Sequence, residues 1–436
     1  MVSLTLKALE KHSRGIQLPD DIIFYDILTR LPVQSLLRFW CVCKSWCYFL
    51  MHKNPSFIDL HLSRSQSRFG ATKLLLSAHD GKLHCYYMFL VDLEEGRVSQ
   101  AVRVANERHR MTRRIFSGNI NGLVCWDQPG SRNNNCTYIC NPSTRELMKL
   151  PMTPQIMNGS DMISPYLSSY LGFDPSSKEF KVLKIQVPRI KYGLYFWIFT
   201  LGGNSWRQIH PTLPYGLSDC EFQSLVLLGQ CQCLNGALHW LLAYRKVIVV
   251  FNLRDEKFGV IPLPNTIICP RTKRIDLLQV DDRLLVLCLY TSVLKYNTEV
   301  WTLEDYKNEV WIKDTFSISP TLAWQWQHGT VCAVPTNIPT SLLELDELSG
   351  YKKRLVCYDA KHKSFLIVKI PELLERWYPN SVDVGLLALM NMNHSLFPMG
   401  QAELDRASSF PNRRVLPLKE SDFSNSVAGI NQPSLT

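Results

Sequence analysis

The chain has 436 residues, 46% hydrophobic and 20% charged, with a formal net charge of +10 and 14 cysteines. Its length and apolar content suffice for a large core in two or three domains, and its cysteines are too dilute for a disulfide scaffold. The positive balance permits acidic partners, but without clustering on one face it does not argue for nucleic acid.

The opening MVSLTLKALEKHSRG, residues 1–15, holds no apolar run long enough for a signal-peptide core and is expected to be a flexible start. No later stretch suits a transmembrane helix. The expected location is therefore a reducing compartment, cytoplasm or nucleus, with the thiols free. On that reading the glycosylation-like triplets at Asn135, Asn158 and Asn393 are chance matches.

Residues 18–50 read LPDDIIFYDILTRLPVQSLLRFWCVCKSWCYFL. Pro19 with Asp20 and Asp21 is a helix start, since proline suits the first turn and acids favour the positive end of the dipole. Ile23, Ile27, Arg30 and Leu31 follow at helical spacing, and Pro32 stops or restarts the helix. A second helix, from about Val33 to Met51, carries Leu36, Phe39, Val42, Cys43, Trp46 and Leu50 on one stripe. Leu37, Trp40, Cys41 and Cys47 lie on another. A short helix that is apolar nearly all round must be covered on both sides. A metal site is disfavoured because the chain has no C-x-x-C and Cys41 and Cys43 point to different faces. Arg38 and Lys44 interrupt any membrane run. The cysteines are expected to pack as small hydrophobes.

The combination LPDDII…DILTRLPVQSLLRFWCVCKSW resembles an F-box, in the form common in plant proteins. That resemblance implies a helical domain over residues 16–62 that docks on the Skp adaptor of a cullin–RING ubiquitin ligase. It implies that Leu18, Pro19, Ile27, Leu28, Leu31, Pro32, Leu36 and Leu37 face the adaptor or support that surface. Val42, Cys43 and Trp46 would lock the helices together. The chain departs from the family in two places: one extra residue lies between LP and ILTRLP, and Trp40 stands where a basic residue is common.

After Phe57 the texture becomes short runs of Val, Ile, Leu and aromatics between Gly, Asn, Asp and Pro turns, with no long amphipathic helix evident. NGLVCW (121–126) recurs as NGALHW (235–240). CNPSTRELMKLP (140–151), FNLRDEKFGVIPLP (251–264) and YDAKHKSFLIVKIP (358–371) share an Asn or Asp, a polar turn and an apolar strand ending in proline. The Asn or Asp closes an Asx-type turn on its own backbone, and the proline ends ladder pairing. YFWIFTLGGNSWRQI (195–209) and TEVWTLEDYKNEVWIK (298–313) read as hairpins ending on an aromatic strand. Such repetition predicts a β-propeller over 68–400, with six blades favoured and seven the alternative, or else two stacked β-domains. LLALM (386–390) is a candidate to close the ring against an early strand. The NGLVC, NPSTRE…LP and GFDPSSKEFKVLKI (172–185) elements resemble the kelch-like F-box-associated domain of plant F-box proteins, with Asp174 in the turn of the last. Residues 401–436, rich in Ser, Asn and Pro, are expected to be a disordered tail.

The sequence holds no G-x-S-x-G, P-loop, H-E-x-x-H or G-x-G-x-x-G, so no catalytic residue, metal or cofactor is expected. His239 reads as a half-buried strand residue, and the acids of LLELDELSGYKK (342–353) as a solvated loop. The basic run RVANERHRMTRR (103–114), with Arg108, Arg110, Arg113 and Arg114, is either a solvated loop or a phosphate-recognising patch. Trp324 and Trp326 either line a recognition face or, alternating along a strand, sit in the core. The expectation is an α+β chain, a small helical F-box followed by an all-β propeller, serving as the non-catalytic substrate receptor of an SCF-type ligase. Its partners would be a Skp adaptor, through it a cullin, and an unknown target protein, with no membrane and no specific nucleic acid. An F-box scaffold outside a ligase, or a propeller hydrolase or lectin, are the alternatives.

Overall fold

The computed structural model describes residues 18–39, 46, 55–66, 73–80, 85–92, 97–106, 116–128, 136–142, 144, 146–154, 166–187, 193–214, 216–228, 231–267, 272–291, 296–328, 330–334, 355–368 and 382–390. The chain divides into two compact units, Met1–Arg68 and Phe69–Thr436.

The first unit is helical. The Pro19 carbonyl accepts from the Ile22 and Ile23 amides, so the helix starts at the proline. Ile22–Ile27 is π-helical and Leu28–Arg30 tightens to a 3-10 turn. Pro32 restarts the chain as α1 (Val33–Phe39), its carbonyl taking the Ser35 and Leu36 amides. Then α2 spans Pro55–Gln66, running past the expected boundary at residue 62. Phe24, Leu28, Val33, Leu36 and Phe57 are buried. The Trp46 ring lies edge-on to Phe24 at 6.2 Å and to Phe39 at 5.3 Å, joining the first helical segment to α1. Val42 and Cys43 lie outside the described residues.

The second unit is built of antiparallel ribbons. The first sheet holds β1 (Lys73–Asp80), β2 (Cys85–Asp92) and β3 (Arg97–Asn106). The next holds β4 (Phe116–Ile120), β5 (Leu123–Gln128), β6 (Cys136–Asn141) and β7 (Glu146–Lys149). The third comprises β8 (Tyr166–Asp174), β9 (Glu179–Val187), β10 (Tyr195–Thr200) and β11 (Arg207–Ile209). After α3 (Asp219–Leu228) comes the sheet of β12 (Cys231–Leu234), β13 (Ala237–Leu242), β14 (Val247–Asn252) and β15 (Lys257–Pro262). The fifth comprises β16 (Thr272–Val280), β17 (Arg283–Thr291), β18 (Tyr296–Asp305) and β19 (Val310–Ile318). It is followed by α4 (Pro320–His328) and a sheet of β20 (Thr330–Val334), β21 (Leu355–Asp359) and β22 (Ser364–Val368). Finally β23 (Val382–Met390) returns to the first sheet and pairs antiparallel with β1, Leu386 opposite Leu76 and Leu389 opposite Leu74. The LLALM segment thus joins the C-terminal part of the propeller to its first strand, as expected.

The inner strands β4, β8, β12, β16, β20 and β23 are neighbours in that cyclic order, the arrangement of a propeller rather than of two stacked domains. One pairing breaks the meander: β20 and β21 run parallel, Cys332 opposite Cys357.

Local chemistry fixes the turns. Asn121-Gly122 and Asn235-Gly236 all have positive φ, which makes both repeats two-residue hairpins of type I′ between a first and a second strand. Four other hairpins share a different device. Asp174, Asn252, Asp305 and Asp359 each accept the amide two residues on, at 2.8–2.9 Å. Four residues after each, Lys178, Glu256, Glu309 and Lys363 adopt a left-handed conformation that turns the chain into the next strand. Asn141 takes the Thr144 amide at 3.3 Å in the same role. Both tryptophan segments form the expected hairpins, β10–β11 and β18–β19.

Apolar side chains of adjacent sheets pack face to face. Phe196, Tyr170, Trp240 and Phe251 form one such layer, which α3 seals with Phe222 and Leu225. Leu285, Leu287, Val300 and Tyr358 form another, sealed by Ala323 and Trp326 of α4. Residues 322–328 of the LAWQWQHG segment are therefore helical, which corrects the strand reading. Its start was legible: Ser319 caps the helix, its Oγ accepting the Leu322 amide at 3.2 Å, with Pro320 in the first turn.

Candidate binding surfaces

In the first unit, the residues expected at the adaptor surface sort by exposure. Leu18 and Ile27 are 43% and 42% exposed, and Pro19 and Pro32 are also exposed. Leu31 and Leu37 are half-buried. Leu28 and Leu36 are buried, so they support the surface from inside. Ile22, which the sequence reading did not single out, is 40% exposed. The only signal for it was the extra residue between LP and ILTRLP. A π turn takes in one residue more than an α turn, and the π turn of this chain falls on Ile22–Ile27.

Helix α2 holds this segment by its backbone. Arg64 Nη1 donates to the Tyr25 carbonyl at 2.6 Å, and Thr29 Oγ1 donates to the same oxygen at 2.6 Å. Arg64 also bonds Thr29 Oγ1 and pairs with Asp26 at 3.6 Å. His61 Nε2 lies 2.9 Å from the Leu31 carbonyl, at the end of the 3-10 turn.

In the second unit, a sheet of four antiparallel strands places its first–second and third–fourth turns at one end. Its second–third turn and its link to the next sheet fall at the other. The first end carries the tight Asn-Gly and Asx turns. It is closely packed: a Cβ on Gly236 would come within 3.0 Å of Pro175 Cδ. The second end carries α3, α4 and the 3-10 turn Ala243–Arg245. That turn is braced on both sides. Arg245 Nε donates to Glu221 of α3 at 2.6 Å, and Lys246 Nζ donates to the Asn265 carbonyl at 3.2 Å. Arg245 and Ser218 hold the Glu221 carboxyl down, to about 2. The braced turn presents Tyr244, 57% exposed.

The candidate target-face residues fare differently. Arg108, Arg110, Arg113 and Arg114 belong to the link between β3 and β4 and lie outside the described residues, as do 342–353 and 401–436. Trp324 is half-buried on α4. Trp326 is a correction: it is fully buried, and its Nε1 donates to Asp276 at 2.9 Å, so it cannot line a recognition face. Arg274 bonds the Trp326 carbonyl and pairs with Asp276 at 2.8 Å, capping the end of α4.

Two interior polar groups resemble chemistry but are structural. Lys184 is buried and donates to Thr137 Oγ1 at 2.9 Å. Thr137 Oγ1 and Ser169 Oγ each donate to Asp127 at 2.7 Å, and the Ser169 amide donates to the other carboxylate oxygen at 2.6 Å. Burial lowers the Lys184 ammonium, opposed by the Asp127 charge. Lys184, Thr137 and Ser169 are all buried, so the network offers no access to a substrate. His239 is buried rather than half-buried. The Gln232 carbonyl, 3.3 Å away, can only accept, so Nδ1 carries the proton and Nε2 accepts from the Tyr306 hydroxyl at 2.7 Å. Burial pushes this histidine down to about 4 and Tyr306 up to about 12. Desolvation likewise raises two thiols, the buried Cys140 to about 12 and the half-buried Cys233 to about 11. Among the described residues no group of His, Cys, Asp and Glu is arranged to hold a metal ion, and no helix is long and apolar enough to cross a membrane.

A family model described as the F-box associated beta propeller domain matches residues 73–394, and one described as the F-box domain matches residues 16–57. The chain is 26% identical to the F-box protein At2g21930 of Arabidopsis thaliana over 357 residues, 79% of this chain and 83% of that protein. It is 29% identical to the F-box protein At3g07870 of the same plant over 424 residues, covering 85% and 91%. Among solved structures, TolB from Acinetobacter baumannii aligns with a TM-score of 0.32 at 10% identity, over 57% of this chain and 52% of that one, too slight a likeness to inform function.

Proposed function

Because the chain belongs to the F-box associated beta propeller domain family and carries an F-box ahead of that domain, we propose that it is the substrate-recognition subunit of an SCF-type E3 ubiquitin ligase. The F-box binds a Skp-family adaptor, and through it a cullin, while the propeller holds a target protein. The protein contributes no catalytic group. It raises the effective concentration of target lysines near the conjugating enzyme, which promotes ubiquitination and degradation. Such a role belongs to the cytoplasm or the nucleus.

The observation that carries this reading is the exposed apolar set of Leu18, Ile27 and Pro32 on a helical unit whose Leu28 and Leu36 are already buried. Apolar side chains left outside a filled core mark a contact surface. For the target, the end of the propeller bearing α3, α4 and Tyr244 is the better candidate. Its longer connections vary freely on a rigid scaffold, and a braced exposed tyrosine is a favourable anchor.

The test is capture of a purified Skp-family adaptor by the full chain. Wild type should bind, and Ile27→Asp should lose at least tenfold in affinity, since it puts a charge into an apolar contact. Absence of binding by wild type would sink the proposal. Leu36 is unsuitable for this test because a charge there would unfold the unit itself.

A further inference from the structure

The segment that opens the first unit is irregular in a way that bears on its exposed side chains. Its π turn ends with the Leu28 amide bonded to the Ile23 carbonyl, five residues back. In a regular α-helix, residues five apart stand roughly 140° apart around the axis. A π turn, bonded five residues back, winds more slowly and brings residues five apart to the same side. Ile27 therefore shares a side with Ile22, and both are about as exposed as Leu18, which precedes the helix. Phe24 and Leu28 take the buried side.

A π turn is rare and is frequently found at functional sites. This one is held from outside. Where the π turn gives way to the 3-10 turn, the Tyr25 carbonyl accepts hydrogen bonds from two side chains, Thr29 Oγ1 and Arg64 Nη1. Thr29 is fully buried, and Arg64 stands on α2 beyond residue 57, where the F-box match ends.

We propose that Ile22 is a further adaptor-contacting residue, and that Arg64 is a positioning residue that holds the π turn so that Ile22 and Ile27 are presented together. The proposal rests on the adaptor-binding reading above. The occupant is the apolar groove of the Skp-family adaptor, because Ile22 shares the exposed side of Ile27, which the adaptor reading already assigns to that contact. Arg64 acts through the Tyr25 carbonyl, two residues from Ile27, and touches no partner itself.

The experiment measures adaptor affinity by titration calorimetry on the full chain, with thermal melting alongside. Ile22→Asp should bind about tenfold more weakly at an unchanged melting temperature. Arg64→Ala removes a charged hydrogen bond and should also weaken binding about tenfold. Deleting Asp26 in the Arg64→Ala chain removes the extra residue and lets the turn become α-helical, with the two isoleucines then four positions apart. Affinity should return towards wild type, because a turn that needs no holding does not need Arg64. Wild-type affinity in Ile22→Asp or in Arg64→Ala overturns the proposal while leaving the adaptor reading intact, and so does a failure of the deletion to restore binding. If Arg64→Ala only unfolds, recovery by the deletion supports the proposal and persistent unfolding refutes it. No adaptor binding by wild type overturns the functional reading along with it.

Discussion

His239 gives the propeller a stability that depends on pH in a defined direction. Its imidazole is buried and neutral, donating from Nδ1 to the Gln232 carbonyl and accepting at Nε2 from Tyr306. Burial lowers it from 6.5 to about 4. Between those values the unfolded chain binds the proton and the folded chain does not, so acid favours unfolding. The stability this neutral histidine confers is complete above about pH 6.5, declines as pH falls and levels off below about pH 4. The full displacement corresponds to about 3 kcal/mol, of which about 2 kcal/mol is lost between pH 7 and pH 5. The informative perturbation is His239→Gln, which keeps a donor for Gln232 and an acceptor for Tyr306 but does not titrate. Urea unfolding followed by tryptophan fluorescence at pH 7, 6 and 5 should show wild type losing about 2 kcal/mol more than the variant. Parallel pH profiles for the two proteins would refute the reasoning, since other acid-sensitive groups are common to both.

The Asp127 network predicts an asymmetry. Asp127→Asn leaves the Lys184 ammonium buried without its counter-charge and should cost about 3–5 kcal/mol, whereas Lys184→Met leaves Asp127 with three neutral donors and should cost less than about 1 kcal/mol. Equal losses in urea unfolding would contradict that account. Gly236→Ala meets both a positive φ of 74° and Pro175 Cδ at 3.0 Å, so it should destabilise the propeller by about 1–3 kcal/mol, read as a lower urea midpoint. A chain ending at residue 381 lacks β23 and exposes the edge of β1. It should unfold at lower denaturant with a reduced m-value, and an unchanged transition would show that β23 does not join the cooperative unit.

What the sequence determined by itself is what adjacent residues decide among themselves. Asn-Gly pairs and Asx loops are chosen within a few residues by φ and by a side-chain oxygen reaching the next amides, so the hairpins at Asn121, Asn141, Asp174, Asn235, Asn252 and Asp359 were legible. The apolar excess of the first forty residues after Leu18 was legible too, as was β23 as a closing strand. The helical state of Trp324 and Trp326 was missed although Ser319-Pro320 announces it, because alternate aromatic positions suit a strand as readily as a helix. Only the tertiary structure sorted the apolar row into Ile22 and Ile27 outside and Leu28 and Leu36 within, since the phase of a helix with a π turn depends on what holds it. The Arg64 bond to the Tyr25 carbonyl spans 39 residues of sequence. The parallel β20–β21 pair and the Lys184 network likewise join segments that no local rule connects, because burial and pairing partners are set by which surfaces meet when the whole chain folds.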